Sequence, residues 1–160
     1  MTPFRRRGDR MEAGFVPAES AVLTLLLDEL EQLLAGDGGA VGDPVVARLF
    51  PAGHASDPEL ARDYRELTES SLREGKAEDL ALVRATIPVE GGAVRLDVDQ
   101  ARSWLRTTND LRLALGARLG ITAEGAPEDT DEAQLSVYHW LTALQGSLVD
   151  ALVAGGSRPR

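Results

Sequence analysis

The sequence contains no cysteine, and this absence excludes several kinds of chemistry. Without a thiol, the chain can form no disulfide, no thiolate metal site and no cysteine nucleophile. Such a composition is compatible with a reducing cytosol. Histidine is almost as scarce, since only His54 and His139 are present. No His-Glu-x-x-His motif occurs, so the sequence predicts no metal centre.

Aromatic residues and long apolar runs are also rare. Aromatics make up 4% of the 160 residues, so Leu, Val and Ala must fill the core, a composition that favours helices. No apolar run reaches the ~18 residues that a membrane span requires. The basic N-terminus is not followed by the apolar segment of a signal peptide. We therefore predict a cytoplasmic protein that does not enter the membrane.

The charge of the chain is unevenly distributed. The net charge is −9, yet residues 1–10 contain four arginines and one aspartate, which leaves −12 for the remainder. Such an acidic body repels phosphate backbones within the ~8 Å Debye length at physiological salt. This distribution argues against broad nucleic-acid binding and is compatible with a basic protein partner.

The N-terminal residues have the pattern of a β-hairpin. Gly8 and Asp9 predict a turn, and Met11, Ala13 and Phe15 alternate with other residues at the period of a strand. We predict a hairpin over residues 3–16. Its arginines are either ordinary solvated charges or a candidate partner surface, formed by Arg5, Arg6, Arg7 and Arg10.

Five segments have the 3–4 residue apolar spacing of helices. The expected first residues, several of them prolines that suit the first helical turn, are Pro17, Pro44, Pro58, Val98 and about Asp131. Gly75 lies inside the third segment, where the helix either kinks or breaks. Asp97 and Gln100 form a capping-box pattern before the fourth. Alternation at 93–97 is compatible with a short third strand.

These elements predict a mainly α protein, a bundle of about five helices with a small N-terminal β-hairpin. We expect a single domain over residues 1–155 and a disordered tail at 156–160.

The sequence carries no recognisable enzyme motif. Gly-x-Ser-x-Gly, Walker and Gly-x-Gly-x-x-Gly patterns are all absent. We therefore predict no catalytic, cofactor-binding or metal-binding residues. Residues 114–122 resemble the start of a helix-turn-helix motif, but the following segment contains Gly125, Pro127 and five acidic residues. That composition argues against direct DNA binding.

A polar insertion interrupts the apolar fourth helix. Asn109, Asp110 and Arg112 stand among leucines, and a polar group that points into the core must find partners there. The three residues form either a candidate buried polar network that fixes the helix register or a partner-binding pocket. Trp104, Tyr138 and Trp140 are similarly either core residues or contact anchors.

Four segments are the most distinctive parts of the chain: FRRRG (Phe4–Gly8), DPVVARLFP (Asp43–Pro51), WLRTTNDLRLALGARLGI (Trp104–Ile121) and VYHWLTALQGSLVDAL (Val137–Leu152). Together they resemble one actinobacterial family, long catalogued as a domain of unknown function, that includes the oxidative-stress transcriptional regulator AosR. The likeness covers nearly the whole chain. Thr108 stands where the family leads us to expect an apolar residue.

The resemblance implies a cytoplasmic regulator that binds an alternative sigma factor and raises transcription of cysteine-biosynthesis genes during oxidative stress. It also implies a redox switch made of two cysteines, which this cysteine-free chain cannot form. We therefore expect a non-enzymatic regulator that acts by protein–protein interaction without thiol sensing. An adaptor outside transcription and an enzyme of unrecognised type are the alternatives. A homodimer is also compatible with this architecture.

Overall fold

A small antiparallel sheet packs against a helical bundle in the computed structural model, which describes residues 1–35, 44–49 and 58–156. The strands are β1 (Thr2–Arg7), β2 (Arg10–Phe15) and β3 (Gly92–Leu96). The helices are α1 (Pro17–Leu34), α2 (Pro44–Leu49), α3 (Pro58–Thr86), α4 (Val98–Leu119) and α5 (Glu132–Gly156).

The sheet has the strand order β1-β2-β3, with both pairs antiparallel. Met11 lies opposite Leu96, and the register of β1 shifts by an irregularity between Thr2 and Arg5. One face is buried through Phe4, Met11, Ala13, Phe15, Val94 and Leu96. The predicted hairpin over 3–16 and the third strand near 93–97 are both confirmed. They form one sheet because their apolar residues share the face that meets the helices.

The turn between α3 and β3 depends on a glycine. Gly91 has a φ of +86°, and a Cβ at this position would lie 2.9 Å from the Cδ of Pro17. Its amide donates to the carbonyl of Pro88 at 2.9 Å. This turn allows the chain that leaves α3 to reach the edge of β2 close to the start of α1.

Trp104 is at the centre of the contact between the sheet and the helices. Its side chain is 1% exposed, and its ring lies 5.7 Å from that of Phe4 and 5.9 Å from that of Phe15. The indole Nε1 donates to the hydroxyl of Thr86 at 2.7 Å, which satisfies its only polar atom. Trp104 is therefore a core residue that joins β1, β2, α3 and α4.

The ends of α4 follow the sequence signals. The Asp97 carboxylate accepts from the amide of Gln100 at 2.8 Å, and the Gln100 side chain accepts from the amide of Asp97 at 2.9 Å. Gly120 ends the helix in the left-handed conformation at a φ of +74°. α1 likewise begins at Pro17, as predicted. These local signals operate within one turn, so tertiary packing has little opportunity to override them.

The helix count differs from the prediction of about five. Four long helices of 18 to 29 residues build the described part of the bundle, and α2 has only six residues. α2 is too short to present a full apolar face, and it packs beside α4. α3 continues through Gly75 without a break.

Some expectations fall outside the described residues. Asp43 and Asp57, each of which precedes a proline and suits a helix N-cap, lie there, as does the predicted tail at 156–160 apart from Gly156. No helix in the described ranges is both long and apolar enough to cross a membrane.

Candidate partner surface

The outer face of the sheet carries most of the arginines that the sequence singled out. Arg5 lies opposite Glu12, Arg7 lies opposite Arg10, and Arg95 lies opposite Glu12 from the other side. Residues that are opposite one another in adjacent strands point to the same face. We define the basic sheet face as Arg5, Arg7, Arg10, Glu12 and Arg95.

The basic sheet face is accessible and cationic. The four arginines are exposed, whereas Glu12 is half-buried beneath them. The Glu12 carboxylate lies 2.7 Å from the Nε of Arg95 and 3.2 Å from the Nε of Arg7. Because exposed ion pairs contribute only ~0–1 kcal/mol, these guanidinium groups can readily exchange Glu12 for another anion.

Two aspartates lie at the border of this face. Arg10 lies 3.9 Å from Asp9 and 3.7 Å from Asp97. Four arginines against Glu12 give the face a charge of +3, and the two aspartates reduce it to +1. The rest of the chain then carries −10, so this face is a positively charged region on an otherwise acidic protein.

Arg6 differs from the other predicted arginines. Its Nε donates to the carbonyl of Gly8 at 2.9 Å, and its Nη1 approaches the carbonyl of Ala151 on α5 at 3.5 Å. The amide of Phe4 also donates to the Ser147 hydroxyl of α5 at 3.2 Å. Arg6 thus connects β1 to α5, and it does not belong to the basic sheet face.

Arg95 was not among the predicted surface residues. The alternation at 93–97 indicated a strand, but it did not indicate which strand would be its neighbour. Pairing of β3 with β2 places Arg95 beside Glu12, and only the tertiary fold decides that pairing.

The predicted polar network is divided between two helices. The Asp110 carboxylate binds Lys76 of α3, with 2.9 Å and 3.0 Å from Nζ to its two oxygens. The Asn109 side chain accepts from Gln145 of α5 at 3.1 Å. Arg112 donates to the Thr142 hydroxyl of α5 at 3.0 Å. The three side chains therefore hold α4 to α3 on one side and to α5 on the other.

Asp110 is the most buried carboxylate residue that the structure describes, with 5% of the whole residue exposed. Burial raises its pKa above the ordinary value, and the nearby Asp79 raises it further, while Lys76 opposes both effects. Asp79 is itself paired with Arg106 at 2.8 Å. This arrangement is an ion pair that joins α3 to α4.

The aromatic candidates occupy different environments. Trp104 is buried, whereas Tyr138 and Trp140 of α5 are half-buried. The guanidinium of Arg112 lies 5.4 Å from the centre of the Tyr138 ring. Trp140 meets Phe15 edge to face at 6.3 Å and also lies at the surface of the bundle. Trp140 is therefore the tryptophan available to a partner.

In the ranges that the structure describes, no three acidic or histidine side chains converge as metal ligands would.

Residues 1–152 match the family described as Domain of unknown function (DUF2017). The chain belongs to this family. It is 34% identical over 190 aligned residues to the protein named oxidative stress regulator AosR of Mycobacterium tuberculosis (strain ATCC 25618 / H37Rv), with 96% of this chain and 86% of the relative covered. The relative of the same name from Mycobacterium bovis gives the same values.

A relative from Mycobacterium leprae (strain TN) also carries the AosR name. It is 33% identical over 149 residues, and the match covers 80% of this chain and 68% of the relative. No solved structure matches the chain. The predicted membership in the family that includes AosR is therefore confirmed.

Proposed function

We propose that the protein is a non-enzymatic regulator of the oxidative-stress response that acts by binding a protein partner through its basic sheet face. Identity to relatives named oxidative stress regulators supports the regulatory role. The observation that carries the binding mode is the concentration of four exposed arginines on one sheet face of a chain whose net charge is −9.

The chemistry of this face fits an acidic protein segment. Guanidinium groups bind carboxylates through paired hydrogen bonds, and arginine is enriched in protein interfaces. A nucleic acid is a poorer fit, because its dense phosphates would meet the acidic residues that surround the face. We propose an alternative sigma factor as the partner, as the family resemblance implies.

Regulation in this chain cannot use a cysteine switch, since the sequence has no thiol. Oxidative control would then act on the partner, or on the amount of the regulator. This proposal predicts that the purified protein binds its partner equally well before and after peroxide treatment of the regulator alone.

Affinity capture from the native host tests the function. The tagged chain is expressed with and without peroxide stress, and the captured proteins are identified by mass spectrometry. We expect a sigma factor or RNA polymerase, with capture lost in an Arg5→Ser/Arg7→Ser variant. Both side chains are exposed, so the variant should keep the helical circular dichroism and melting temperature of the parent.

An Arg102→Ser variant is the matched control. Arg102 is an exposed arginine of α4 whose nearest acidic partner, Asp99, lies 3.7 Å away. Its replacement removes one positive charge outside the sheet and should leave capture unchanged. Equal capture by the sheet variant and the parent would contradict the binding mode. Recovery of a complex unrelated to transcription would support the adaptor alternative instead.

A further inference from the structure

A groove between α1 and α5 forms a second surface, apart from the basic sheet face. Both helices pack on α4 and leave the groove open between them. Ala18, Glu19 and Val22 line it from α1, and Ser136, Val137 and Trp140 line it from α5. Four of these six side chains are apolar, and the exceptions are Glu19 and Ser136.

The apolar stripe extends along α1 beyond the groove. Ala18, Val22 and Leu25 recur at the spacing of one helix face. Leu25 is 64% exposed, although the opposite face of α1 already supplies Leu23, Leu27 and Leu30 to the core. Folding of the described chain therefore leaves a second apolar stripe on α1 uncovered.

The size of the groove suits side chains rather than a cofactor. Its free volume is about 220 Å³, below the ~300–1,000 Å³ typical of small-molecule sites. The Trp140 ring is held in the groove by packing alone, because its indole Nε1 is buried and makes no hydrogen bond within the described structure. The ring can therefore adjust to an occupant without breaking a hydrogen bond.

The charge around the groove indicates the sign of the charge that its occupant must carry. Residues 119–156 contain six carboxylates and no lysine or arginine, and α1 contains four carboxylates and no lysine or arginine. The α1 carboxylates are already engaged: Asp28 and Glu31 with Arg84, Glu29 with Arg118, and Glu19 with the amine of Met1.

The acidic residues just before α5 and at its start differ from those of α1 in their lack of ion pairs within the described structure. Five exposed carboxylates stand there without an ion-pair partner in the described structure: Glu124, Glu128, Asp129, Asp131 and Glu132. Asp131 caps α5 by accepting from the amide of Gln134 at 3.0 Å. Glu132 lies one turn before Ser136, on the flank of α5 that lines the groove, so the acidic cluster adjoins one end of the groove.

We propose that the groove between α1 and α5 docks an amphipathic helix of a partner protein, with apolar side chains against Val22 and Trp140 and a basic end against residues 124–132. Helices that bind in this way place one apolar face in a groove. This surface goes beyond the proposed function: it takes a basic segment, whereas the basic sheet face takes an acidic one.

The two tryptophans provide a direct test by nuclear magnetic resonance. Their indole N–H groups give two cross-peaks, one for the buried Trp104 and one for Trp140 at the groove. The probe is a synthetic Leu/Lys amphipathic helix of about 18 residues, or five turns. We expect it to shift the Trp140 peak and to leave the Trp104 peak in place.

Two test variants, one control variant and a control peptide assign the binding to the groove and to the acidic cluster. Val22→Glu places a charge in the groove and should weaken binding about tenfold or more, equivalent to ~1.4 kcal/mol. Glu128→Gln/Asp129→Asn should weaken it to a smaller extent and reduce its salt dependence. Leu72→Glu, at an exposed leucine of α3, should have no effect. A peptide of the same composition but without an apolar face should not bind.

Each other outcome overturns the proposal. Equal shifts of both indole peaks, or equal binding of the two peptides, would indicate non-specific attraction to an acidic protein. A shift of the Trp140 peak with protein concentration alone, accompanied by dimerisation, would assign the groove to a second copy of the chain. Equal capture by the sheet variant Arg5→Ser/Arg7→Ser and the parent would contradict only the proposal for the other face, so the two proposals fail independently.

Discussion

The Nζ of Lys76 on α3 lies 2.9 Å and 3.0 Å from the two carboxylate oxygens of Asp110 on α4. Lys76 is the single lysine of the sequence, and its side chain is only 18% exposed, against 7% for Asp110. The pair therefore joins α3 to α4, and a second ion pair between the same helices, Asp79 with Arg106 at 2.8 Å, lies nearby.

Removal of one partner of the Lys76–Asp110 pair should lower the free energy of unfolding more than removal of both. Lys76→Met leaves the Asp110 carboxylate buried without a cation, and we expect a loss of about 2 kcal/mol. This is below the ~3–5 kcal/mol for fully buried pairs, because Lys76 keeps some contact with water. Lys76→Met/Asp110→Asn should recover most of the loss. Urea unfolding of the parent and the variants measures each value; a double variant no better than the single one would contradict the explanation.

The stability contributed by Asp110 should depend on pH. Burial raises its pKa in the folded protein, so the folded state favours the protonated acid more than the unfolded chain does. The resulting stabilisation is complete below the unfolded pKa of ~3.9 and is lost as pH rises through the raised folded value. Lys76 and Asp79, with Arg106 bound to the latter, are the charged groups that act on it.

Comparison of the parent with Asp110→Asn isolates this dependence. The free energy of unfolding of the parent, relative to the variant, should fall as pH is raised above the unfolded pKa of ~3.9 and level off above the raised folded pKa. In Lys76→Met the fall should extend to higher pH, because the opposing cation is gone. A difference between parent and Asp110→Asn that rises with pH would show that Lys76 outweighs burial.

Gly91 should tolerate substitution poorly. Gly91→Ala requires a left-handed conformation, which costs about 1 kcal/mol, and it also places a methyl group 2.9 Å from the backbone nitrogen of Pro17. We expect a loss of about 2 kcal/mol or more. Gly8→Ala is the matched control, since Gly8 has a φ of +63° but no atom within 4 Å of the added Cβ. Equal losses in the two variants, measured by thermal unfolding, would exclude the steric contribution.

Substitution of Gly75, unlike that of Gly91, should raise the stability of the protein. It lies inside α3, and a Cβ added there meets no atom within 4 Å. Because alanine restricts the unfolded chain and favours the helix, Gly75→Ala should stabilise the protein by roughly 0.5–1 kcal/mol. An increase in melting temperature checks this expectation. A decrease would indicate that α3 needs a flexible point at this residue.

Local structure was largely predictable from the sequence. The capping residues Asp97 and Gln100, the start of α1 at Pro17 and the hairpin turn at Gly8 each depend on interactions within a few residues, so a local pattern is sufficient to identify them. Whether α3 breaks or continues at Gly75 was not predictable from such a local pattern. One glycine in a long apolar pattern lowers helix propensity by only ~1 kcal/mol, and neighbouring helices decide whether the helix continues.

The candidate surface was predictable only in part. Arg5, Arg7 and Arg10 do share one face, but Arg6 turns to the carbonyl of Ala151, and Arg95 joins the face from a distant part of the sequence. The alternation of β1 places Arg6 on the inner face with Phe4, and Arg5 and Arg7 on the outer face. The position of Arg95 depends on the pairing of β3 with β2, which no local pattern contains.

The residues alone establish the absence of thiol chemistry, the acidic charge, the helical composition, the main element boundaries and the family. Each of these follows from residue identity or from interactions between near neighbours in the chain. The packed fold was needed to show that β3 adds to β2, that Asp110 meets Lys76 rather than Arg112, and that an apolar stripe of α1 stays uncovered beside Trp140. Those contacts join residues far apart in sequence, so they depend on how all the helices pack at once.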